Sequence, residues 1–397
     1  RQEAATALPR AQPEKVGLSR ERLQRLGDVL RGKVDSGHVP GAVVLVVRHG
    51  KLAALEALGV RDPASGAAMR TSDIFRIYSM TKPIVSVAAM MLWEEGRFLL
   101  GDLVTKFLPE FADRKVAVER DGAIELVPAK RDITIQDLLR HTSGLTYEFR
   151  GNAAVQKMYM SAKIFRRDQS NAEQAAMLAQ MPLMHQPGER WEYSRSTDVL
   201  GRIIEVLTGD SLREVLHERI LQPLGLVDTD FYVPPEKQER LAEAFARDPD
   251  TGAAVQLIEV RDKPSFESGG GGLVSTATDY ARFLQMLLNG GTLDGVRLLS
   301  RKTVQYMTAD HLGAVGGASD LLIPGYGFGL GFAVRKAAGL APIPGSVGDY
   351  YWGGLAGTTF WVDPAEALLA VLLIQAPGQR EYYRMLFRDL VYAALAE

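Results

Sequence analysis

The tetrapeptide Ser79-Met80-Thr81-Lys82 decides the fold of this chain. It is the only S-x-x-K in the sequence, and it precedes an apolar stretch, residues 84–92, that is typical of a helix buried in a core. Residues three apart on a helix share a face, so the Lys82 amine can lie within hydrogen-bonding distance of the Ser79 hydroxyl. Burial lowers the pKa of a lysine, and a neutral amine can accept the proton of a serine nucleophile. A plain helix cap with a solvated lysine fits the same residues, and both interpretations stay open at this point.

The composition is that of a globular protein without charge bias. The chain has 397 residues, 46% of them hydrophobic and 24% charged, and a net charge of −2. We therefore expect neither nucleic acid nor an anionic membrane surface as a partner. No apolar run reaches the roughly 18 to 20 residues that span a bilayer.

The chain has no cysteine, which excludes disulfides, thiolate metal sites and cysteine nucleophiles. No H-E-x-x-H and no paired histidines indicate zinc, so we expect neither a metal nor another cofactor. Residues 1–13 begin with Arg1 and fit either a linker or the start of an exported mature chain. A cytoplasmic and an exported location both stay open, as does the oligomeric state.

Predicted strands lie near the two chain ends, and predicted helices fill the middle. The strands, one hairpin and three further segments, are residues 41–48, 52–60, 327–334, 357–362 and 368–374. The helices are residues 20–33, 135–141, 171–180, 197–208, 211–222, 278–289 and 379–397. We therefore expect an α+β fold with an antiparallel sheet built from both chain ends. One domain, α/β, would comprise residues 1–101 and 290–397, a second, mostly helical, residues 102–289, with the active site in the cleft between them.

Two further segments contain candidate functional residues. Trp191-Glu192-Tyr193-Ser194 lies in a predicted loop, where Tyr193 can act as a general acid or base if a lysine lies nearby, although most such tyrosines only pack. Tyr351-Trp352-Gly353-Gly354-Leu355 precedes a predicted strand, and its paired glycines fit either a close substrate approach or a simple turn. The run Gly269 to Gly272 lacks the residues of a phosphate loop and predicts backbone freedom near a site.

Taken in order, S-x-x-K, W-x-Y-S and W-G-G resemble the serine β-lactamase and penicillin-binding protein superfamily, in which S-x-x-K contains the nucleophile. The sequences around Ser79, around His141 and at residues 268–273 are similar to its class C branch, and the resemblance covers about residues 14–395. Within that branch the chain most resembles the family VIII carboxylesterases, which have W-G-G where lactamases have K-T-G. Trp352 stands where a lactamase lysine would bind the substrate carboxylate, which favours neutral esters.

The resemblance implies a β-lactamase-like fold and a serine esterase with a small-molecule, short-chain ester as its partner. Ser79 would attack the carbonyl, Tyr193 poised by Lys82 would move the proton, and an acyl-enzyme would form and then be hydrolysed. By the same resemblance, the backbone N–H groups of Ser79 and Leu355 would form the oxyanion hole.

The resemblance also implies a set of residues that contact the substrate, namely Trp352, Gly353, Gly354 and Tyr78. One position departs from the lactamase pattern. Arg195 stands where lactamases have the asparagine of Y-x-N, and we assign it no catalytic role.

Several alternatives compete with the esterase interpretation. An α/β-hydrolase would need G-x-S-x-G, which the chain lacks, and His141 in H-T-S-G-L is typical of a helix end and turn rather than of a Ser-His-Asp triad. A β-lactamase, a peptidase or amide hydrolase, and an acyltransferase can all use the same serine, lysine and tyrosine. A non-catalytic binding protein of the same fold is a further alternative, against which the retention of all three side chains argues.

Overall fold

The structure of the protein is a computed structural model that describes residues 7–316 and 319–396. Its strands are β1 (Gly41–Arg48), β2 (Lys51–Asp62), β3 (Ala67–Ala68), β4 (Phe75–Arg76), β5 (Lys115–Arg120), β6 (Ala123–Pro128), β7 (Val274–Ser275), β8 (Thr292–Leu293), β9 (Val296–Arg297), β10 (Tyr326–Phe328), β11 (Ala333–Arg335), β12 (Tyr350–Gly353), β13 (Thr359–Asp363) and β14 (Leu368–Leu373). Its helices are α1 (Arg20–Asp35), α2 (Thr81–Glu94), α3 (Ile135–Leu139), α4 (Ala154–Ser161), α5 (Asn171–Gln180), α6 (Ser196–Thr208), α7 (Leu212–Leu216), α8 (Gln222–Leu224), α9 (Ala277–Leu288), α10 (Arg301–Met307) and α11 (Arg380–Tyr392).

The main sheet joins the two chain ends. Within the described residues it has eight strands, in the order β10-β11-β12-β13-β14-β1-β2-β3, and neighbouring strands are antiparallel. Strand β1, near the start of the chain, pairs with β14, near its end, and Leu45 lies opposite Val371. The predicted α+β fold, with an antiparallel sheet built from both chain ends, is confirmed.

Strand β1 shows how the sheet separates two cores. All eight of its residues are buried, and successive side chains of a strand point to opposite faces. Val43, Leu45 and Val47 join the core that contains α2 and α9, while Val44 and Val46 join the core that contains α1 and α11. The continuous apolar run of this strand therefore follows from helices covering both faces of the sheet.

Helix α2 lies in the larger core and fixes the position of the residues before it. The predicted buried helix is confirmed, since almost all of its side chains are buried. Two hydrogen bonds from elsewhere in the chain hold its first turn: the Tyr280 hydroxyl donates to the Met80 carbonyl at 2.7 Å, and the Leu273 N–H donates to the Thr81 hydroxyl at 3.0 Å. The Ser79 turn is thus attached to the core on both sides.

The structure corrects the prediction of a single strand at residues 327–334. This segment forms parts of two strands, β10 and β11, which pair with each other. Gly331 in the connection has a φ of +110°, and a side-chain carbon there would lie 2.7 Å from the Ser86 hydroxyl, so only glycine fits this turn. In the sequence, apolar and small residues alternate through this turn as they do in a strand, so the turn was not predicted.

The predicted helical region also contains a β-hairpin, β5 and β6, that was not predicted from the sequence. Its turn is Asp121-Gly122, with φ values of +52° and +78°, and an Asp-Gly pair between alternating residues is a characteristic hairpin sequence. Helix α9, at the end of the same region, packs against β1 and β14 of the main sheet.

A buried charge network fastens α11 to the strands beside it. Asp349, which precedes β12, accepts from Arg335 and from Arg388 of α11 at 2.7 Å each, and from the Tyr326 hydroxyl at 2.6 Å. Both arginines and the aspartate are almost completely buried. Removing one partner from such a network leaves uncompensated charges in the protein interior.

We predict that Asp349→Ala lowers the free energy of unfolding by about 3–5 kcal/mol, because it leaves two buried guanidinium groups without their carboxylate. Urea unfolding followed by circular dichroism measures the change. The matched control is Asp28→Ala, whose exposed ion pair with Arg31 should contribute no more than about 1 kcal/mol. Equal losses of unfolding free energy in the two variants would contradict the stabilising role assigned to Asp349.

Candidate active site

Ser79 lies in a short 3₁₀ turn, Tyr78–Met80, directly before α2. The preceding residue, Tyr78, has a φ of +42°, in the left-handed region that non-glycine residues rarely occupy. Such strained positions cluster at functional sites. Lys82, in the first turn of α2, donates a hydrogen bond to the Ser79 hydroxyl at 3.3 Å, so the structure brings the two residues of the S-x-x-K motif together.

The Lys82 amine is enclosed by protein. The side chain is only 1% exposed, and its Nζ also donates to the Tyr147 hydroxyl and to the Gly270 carbonyl, both at 2.7 Å. Burial is the main influence on the pKa of Lys82 and holds it well below the usual value, while Asp198 raises this pKa and Arg195 lowers it further. A lysine in this environment is suited to be a neutral base rather than a solvated cation.

Tyr193 lies beside the pair, in the loop before α6. Its hydroxyl accepts a hydrogen bond from the Trp352 indole N–H at 3.1 Å, and the Lys82 Nζ lies 4.4 Å from the centre of its ring. Burial raises the pKa of Tyr193 to about 12, although hydrogen bonds with Ser79 and Trp352 act in the opposite direction. At neutral pH the phenol is therefore protonated and can donate a proton.

Tyr147 belongs to this site and was not predicted from the sequence. It is the tyrosine whose hydroxyl bonds to Lys82, and burial raises its pKa well above the usual value. The sequence contains 13 tyrosines, and Tyr147 lies in a segment without a motif of its own. Its position just after the H-T-S-G-L turn was the available indication, because that turn lies against the Tyr193 loop.

A chain of hydroxyl groups holds the Tyr193 loop in place. The Ser143 and Ser196 hydroxyls are 2.7 Å apart, and those of Ser194 and Ser196 are 2.6 Å apart. His141 Nδ1 lies 3.3 Å from the Ser194 hydroxyl, and burial lowers the pKa of His141 well below its usual value. The imidazole packs against the Tyr193 ring at 4.9 Å between centres, so His141 has a packing role as the turn motif indicated.

Arg195 lies behind the site in a buried ion network. Its Nε donates to Glu148 at 3.2 Å, and its Nη1 pairs with Asp198 at 3.2 Å. The guanidinium also lies 4.8 Å from the centre of the Tyr147 ring, the distance of a cation–π contact. Arg195 therefore contacts the surroundings of Lys82, and its charge acts on the lysine pKa through space.

The glycine run packs closely against the site, but none of its four residues has a positive φ, so close packing rather than an unusual backbone conformation is what the structure shows. A side-chain carbon on Gly270 would lie 3.1 Å from both the Tyr147 hydroxyl and an Asp198 oxygen. The same Asp198 oxygen accepts from the Gly270 N–H at 2.9 Å, which orients the carbonyl of that residue toward Lys82. The run therefore supplies a backbone acceptor in a space too small for side chains.

A cavity of about 500 Å³ opens onto Ser79. Its lining includes Ser79, Tyr193, Trp352, Gly353, Gly354 and Leu355. The Trp352 and Tyr193 rings form one wall, and the partly exposed side chains of Phe149, Leu355 and Met385 lie at its rim.

Tyr78 is not among the residues that line this cavity within the described part of the chain. Its hydroxyl instead accepts a hydrogen bond from the Ile258 N–H at 2.9 Å.

Within residues 7–316 and 319–396, no group of three or more histidine or acidic residues is placed to hold a metal. Among these residues, no helix is long and apolar enough to cross a membrane.

The sequence matches the model of the family described as Beta-lactamase over residues 26–394. The chain belongs to the beta-lactamase family. It is 39% identical to an uncharacterised protein of Mycobacterium tuberculosis, over 87% of this chain and 88% of that protein. It is also 33% identical to Esterase EstB of Burkholderia gladioli, over 93% of this chain and 95% of the esterase.

Among solved structures, this beta-lactamase family member is similar to EstCE1, described as a hydrolase with promiscuous acyltransferase activity. The TM-score is 0.80 and the identity 29%, over 94% of this chain and 98% of EstCE1. The resemblance to the carboxylesterase branch of the superfamily is thereby confirmed. Family membership together with these relatives supports a serine hydrolase.

The charges around Lys82 predict how the reactivity of Ser79 depends on pH. Because the Arg195 charge lowers the pKa of Lys82, Arg195→Gln should raise that pKa and move the acid limb of Ser79 reactivity to higher pH. Below its pKa Lys82 is protonated and unable to act as a base, so reactivity falls there. The pH dependence of inactivation by a fluorophosphonate measures the limb.

Arg202→Gln is the control, because Arg202 lies on α6, the helix that begins directly after Arg195, but pairs with Glu205. The acid limb of inactivation in Arg202→Gln should lie at the same pH as in the parent protein. A limb that moves to lower pH in Arg195→Gln would contradict the role assigned to Lys82.

Proposed function

We propose that the protein is a serine carboxylesterase that hydrolyses small neutral esters with short acyl chains through an acyl-enzyme on Ser79. The observation that supports this most is the contact between the buried Lys82 amine and the hydroxyl of Ser79, a residue that lines an open cavity. The esterase relative EstB supports the reaction class.

In the first step the Ser79 oxygen forms a bond to the ester carbonyl carbon. Its proton passes to the Lys82 amine, whose pKa burial lowers well below the usual value. The carbonyl oxygen becomes an oxyanion, for which the N–H groups of Ser79 and Leu355 are the proposed donors. Within the described residues, the Leu355 N–H donates no hydrogen bond, so it is available for this role.

In the second step the bond to the leaving alcohol breaks. Tyr193 donates its phenolic proton to the alcohol oxygen, which leaves a phenolate whose ring faces the Lys82 ammonium. Water then attacks the acyl-enzyme and gives its proton to the Tyr193 phenolate, while the Lys82 ammonium returns a proton to the Ser79 oxygen as the carboxylic acid leaves. The raised pKa of Tyr193 makes the phenol the proton donor and gives Lys82 the role of first acceptor.

Trp352 supports the choice of ester over β-lactam. The indole lies against Tyr193 and donates its N–H to that hydroxyl, so this position offers an apolar wall rather than a cation for a substrate carboxylate. We propose that Trp352, Gly353 and Gly354 contact the substrate, and that the acyl group lies against the tryptophan. For Tyr78, the hydrogen bond from the Ile258 N–H to its hydroxyl supports a structural role instead of a contact with the substrate.

An acyltransferase is the second candidate. The cavity is open to solvent, so an alcohol can replace water as the acceptor in the second half of the reaction. The similarity to EstCE1, a hydrolase with promiscuous acyltransferase activity, supports this candidate.

We further propose that the site lies between an α/β domain, residues 1–101 and 290–397, and a mostly helical domain, residues 102–289.

We predict that Ser79→Ala abolishes hydrolysis of p-nitrophenyl butyrate, because no other nucleophile is proposed in the cavity. In the parent protein, turnover of this ester should exceed that of a chromogenic cephalosporin. Ser72→Ala, a substitution at an exposed serine seven residues earlier, should keep parental activity. Ester turnover that survives in Ser79→Ala would sink the mechanism, and faster cephalosporin turnover would reject the substrate class.

We also predict that Tyr193→Phe lowers kcat roughly 100-fold or more, since it removes the proton donor to the leaving alcohol. Tyr147→Phe removes a hydrogen-bond partner of Lys82 but no transferred proton, and should lose less. The two variants differ from the parent by one oxygen each, and circular dichroism checks that both fold. A larger loss in Tyr147→Phe would transfer the proton-donor role to that residue.

A further inference from the structure

An arginine lies directly behind the peptide that is proposed to bind the oxyanion. Arg384 of α11 donates from Nη2 to the Gly354 carbonyl at 2.5 Å and pairs through Nη1 with Glu381 at 3.0 Å. The Gly354 carbonyl also accepts from the Gly357 N–H at 3.1 Å. The Nε of Arg384 is buried and has no hydrogen-bond partner among the described residues. The guanidinium therefore has one carboxylate partner, Glu381, and one backbone partner, the Gly354 carbonyl of the W-G-G segment.

Two glycines are required for this contact. A side-chain carbon on Gly353 would lie 2.7 Å from the Arg384 guanidinium and would push it away. A side-chain carbon on Gly354 would lie 2.4 Å from the Ile77 carbonyl, in the segment that leads to Ser79. The Gly354 peptide is thus held between the serine turn on one side and the arginine on the other.

The carbonyl that Arg384 binds belongs to the same peptide plane as the Leu355 N–H. In a trans peptide these two groups point in opposite directions, and a positive charge on the oxygen draws electron density from the nitrogen. The N–H becomes a stronger donor, and a fixed carbonyl also fixes the direction of the N–H. Preorganised donors of this kind contribute most where charge develops in the transition state.

We propose that Arg384 is a positioning residue that orients and polarises the Gly354–Leu355 peptide as an oxyanion donor. This inference rests on the proposed esterase function and adds a residue to it. Arg384 also lines the cavity, but the role proposed for it is exerted through the backbone amide and not through contact with the ester.

The test compares Arg384→Met, Arg384→Lys and the parent protein with neutral p-nitrophenyl butyrate. We expect Arg384→Met to lower kcat roughly tenfold to a hundredfold and to change KM less than threefold, since the amide matters in the transition state. A trifluoromethyl ketone, which forms an oxyanion adduct with a serine, should lose affinity by a factor similar to the loss in kcat. Arg384→Lys keeps a cation and should recover part of both losses.

The control is Arg25→Met, which removes an exposed arginine that pairs with Glu21 on α1. It should leave kcat and ketone affinity unchanged. If Arg384→Met does not fold, Arg384→Lys and Arg384→Gln, which keeps a donor without the charge, take its place, with the order of activity Lys above Gln.

An unchanged kcat in folded Arg384 variants would overturn the proposal, and so would a loss confined to KM, which would make Arg384 a substrate-binding residue. Equal effects on the ketone and on binding of a non-reactive ester analogue would also overturn it. The esterase proposal fails separately, through absence of ester turnover in the parent protein or its survival in Ser79→Ala.

Discussion

The rest of the site depends on the burial of one amine. The Lys82 Nζ is buried at the start of α2. It forms three hydrogen bonds with three different parts of the chain: the Ser79 turn, Tyr147 and the Gly270 carbonyl. An unpaired buried cation costs several kcal/mol, whereas a neutral amine with satisfied hydrogen bonds costs far less. The fold therefore favours the protonation state in which this lysine can act as a base.

The same constraint explains the residues around the lysine. The glycine run brings a carbonyl where side chains have no room, Asp198 orients that carbonyl, and Arg195 compensates Asp198 and Glu148. Arg195 also supplies a second positive charge near the amine, which opposes its protonation. Each of these groups contacts the next, and the series of contacts ends at the Lys82 amine that bonds to Ser79.

Local sequence predicted the elements that are locally determined. The buried helix after Ser79, the β1–β2 hairpin and the strands near both chain ends follow from periodicity and turn residues, and the fold class follows from their order. The split of residues 327–334 into β10 and β11 depends on the fit of Gly331 against Ser86, a contact between distant parts of the chain. The β5–β6 hairpin had an Asp-Gly turn as its indication.

The site was predictable to the extent that motifs mark it. Ser79, Lys82, Tyr193 and Trp352 each lie in a recognisable segment. In the structure Ser79, Tyr193 and Trp352 line one cavity, and Lys82 bonds to Ser79. Tyr147 and Arg384 lie in no motif, because their roles come from their positions in three dimensions. The Tyr147 hydroxyl bonds to Lys82, and the Arg384 guanidinium bonds to the Gly354 carbonyl. Apart from the position of Tyr147 just after the H-T-S-G-L turn, the sequence contains no indication of these contacts.

The central claim, that Ser79 becomes acylated by an ester, is tested most directly by trapping the intermediate. The protein is mixed with p-nitrophenyl butyrate, quenched in acid within milliseconds to seconds, digested, and analysed by mass spectrometry. We expect one butyryl group on the peptide that contains Ser79, and none in Ser79→Ala. A butyryl group on any other side chain, formed at the rate of turnover, would contradict the claim.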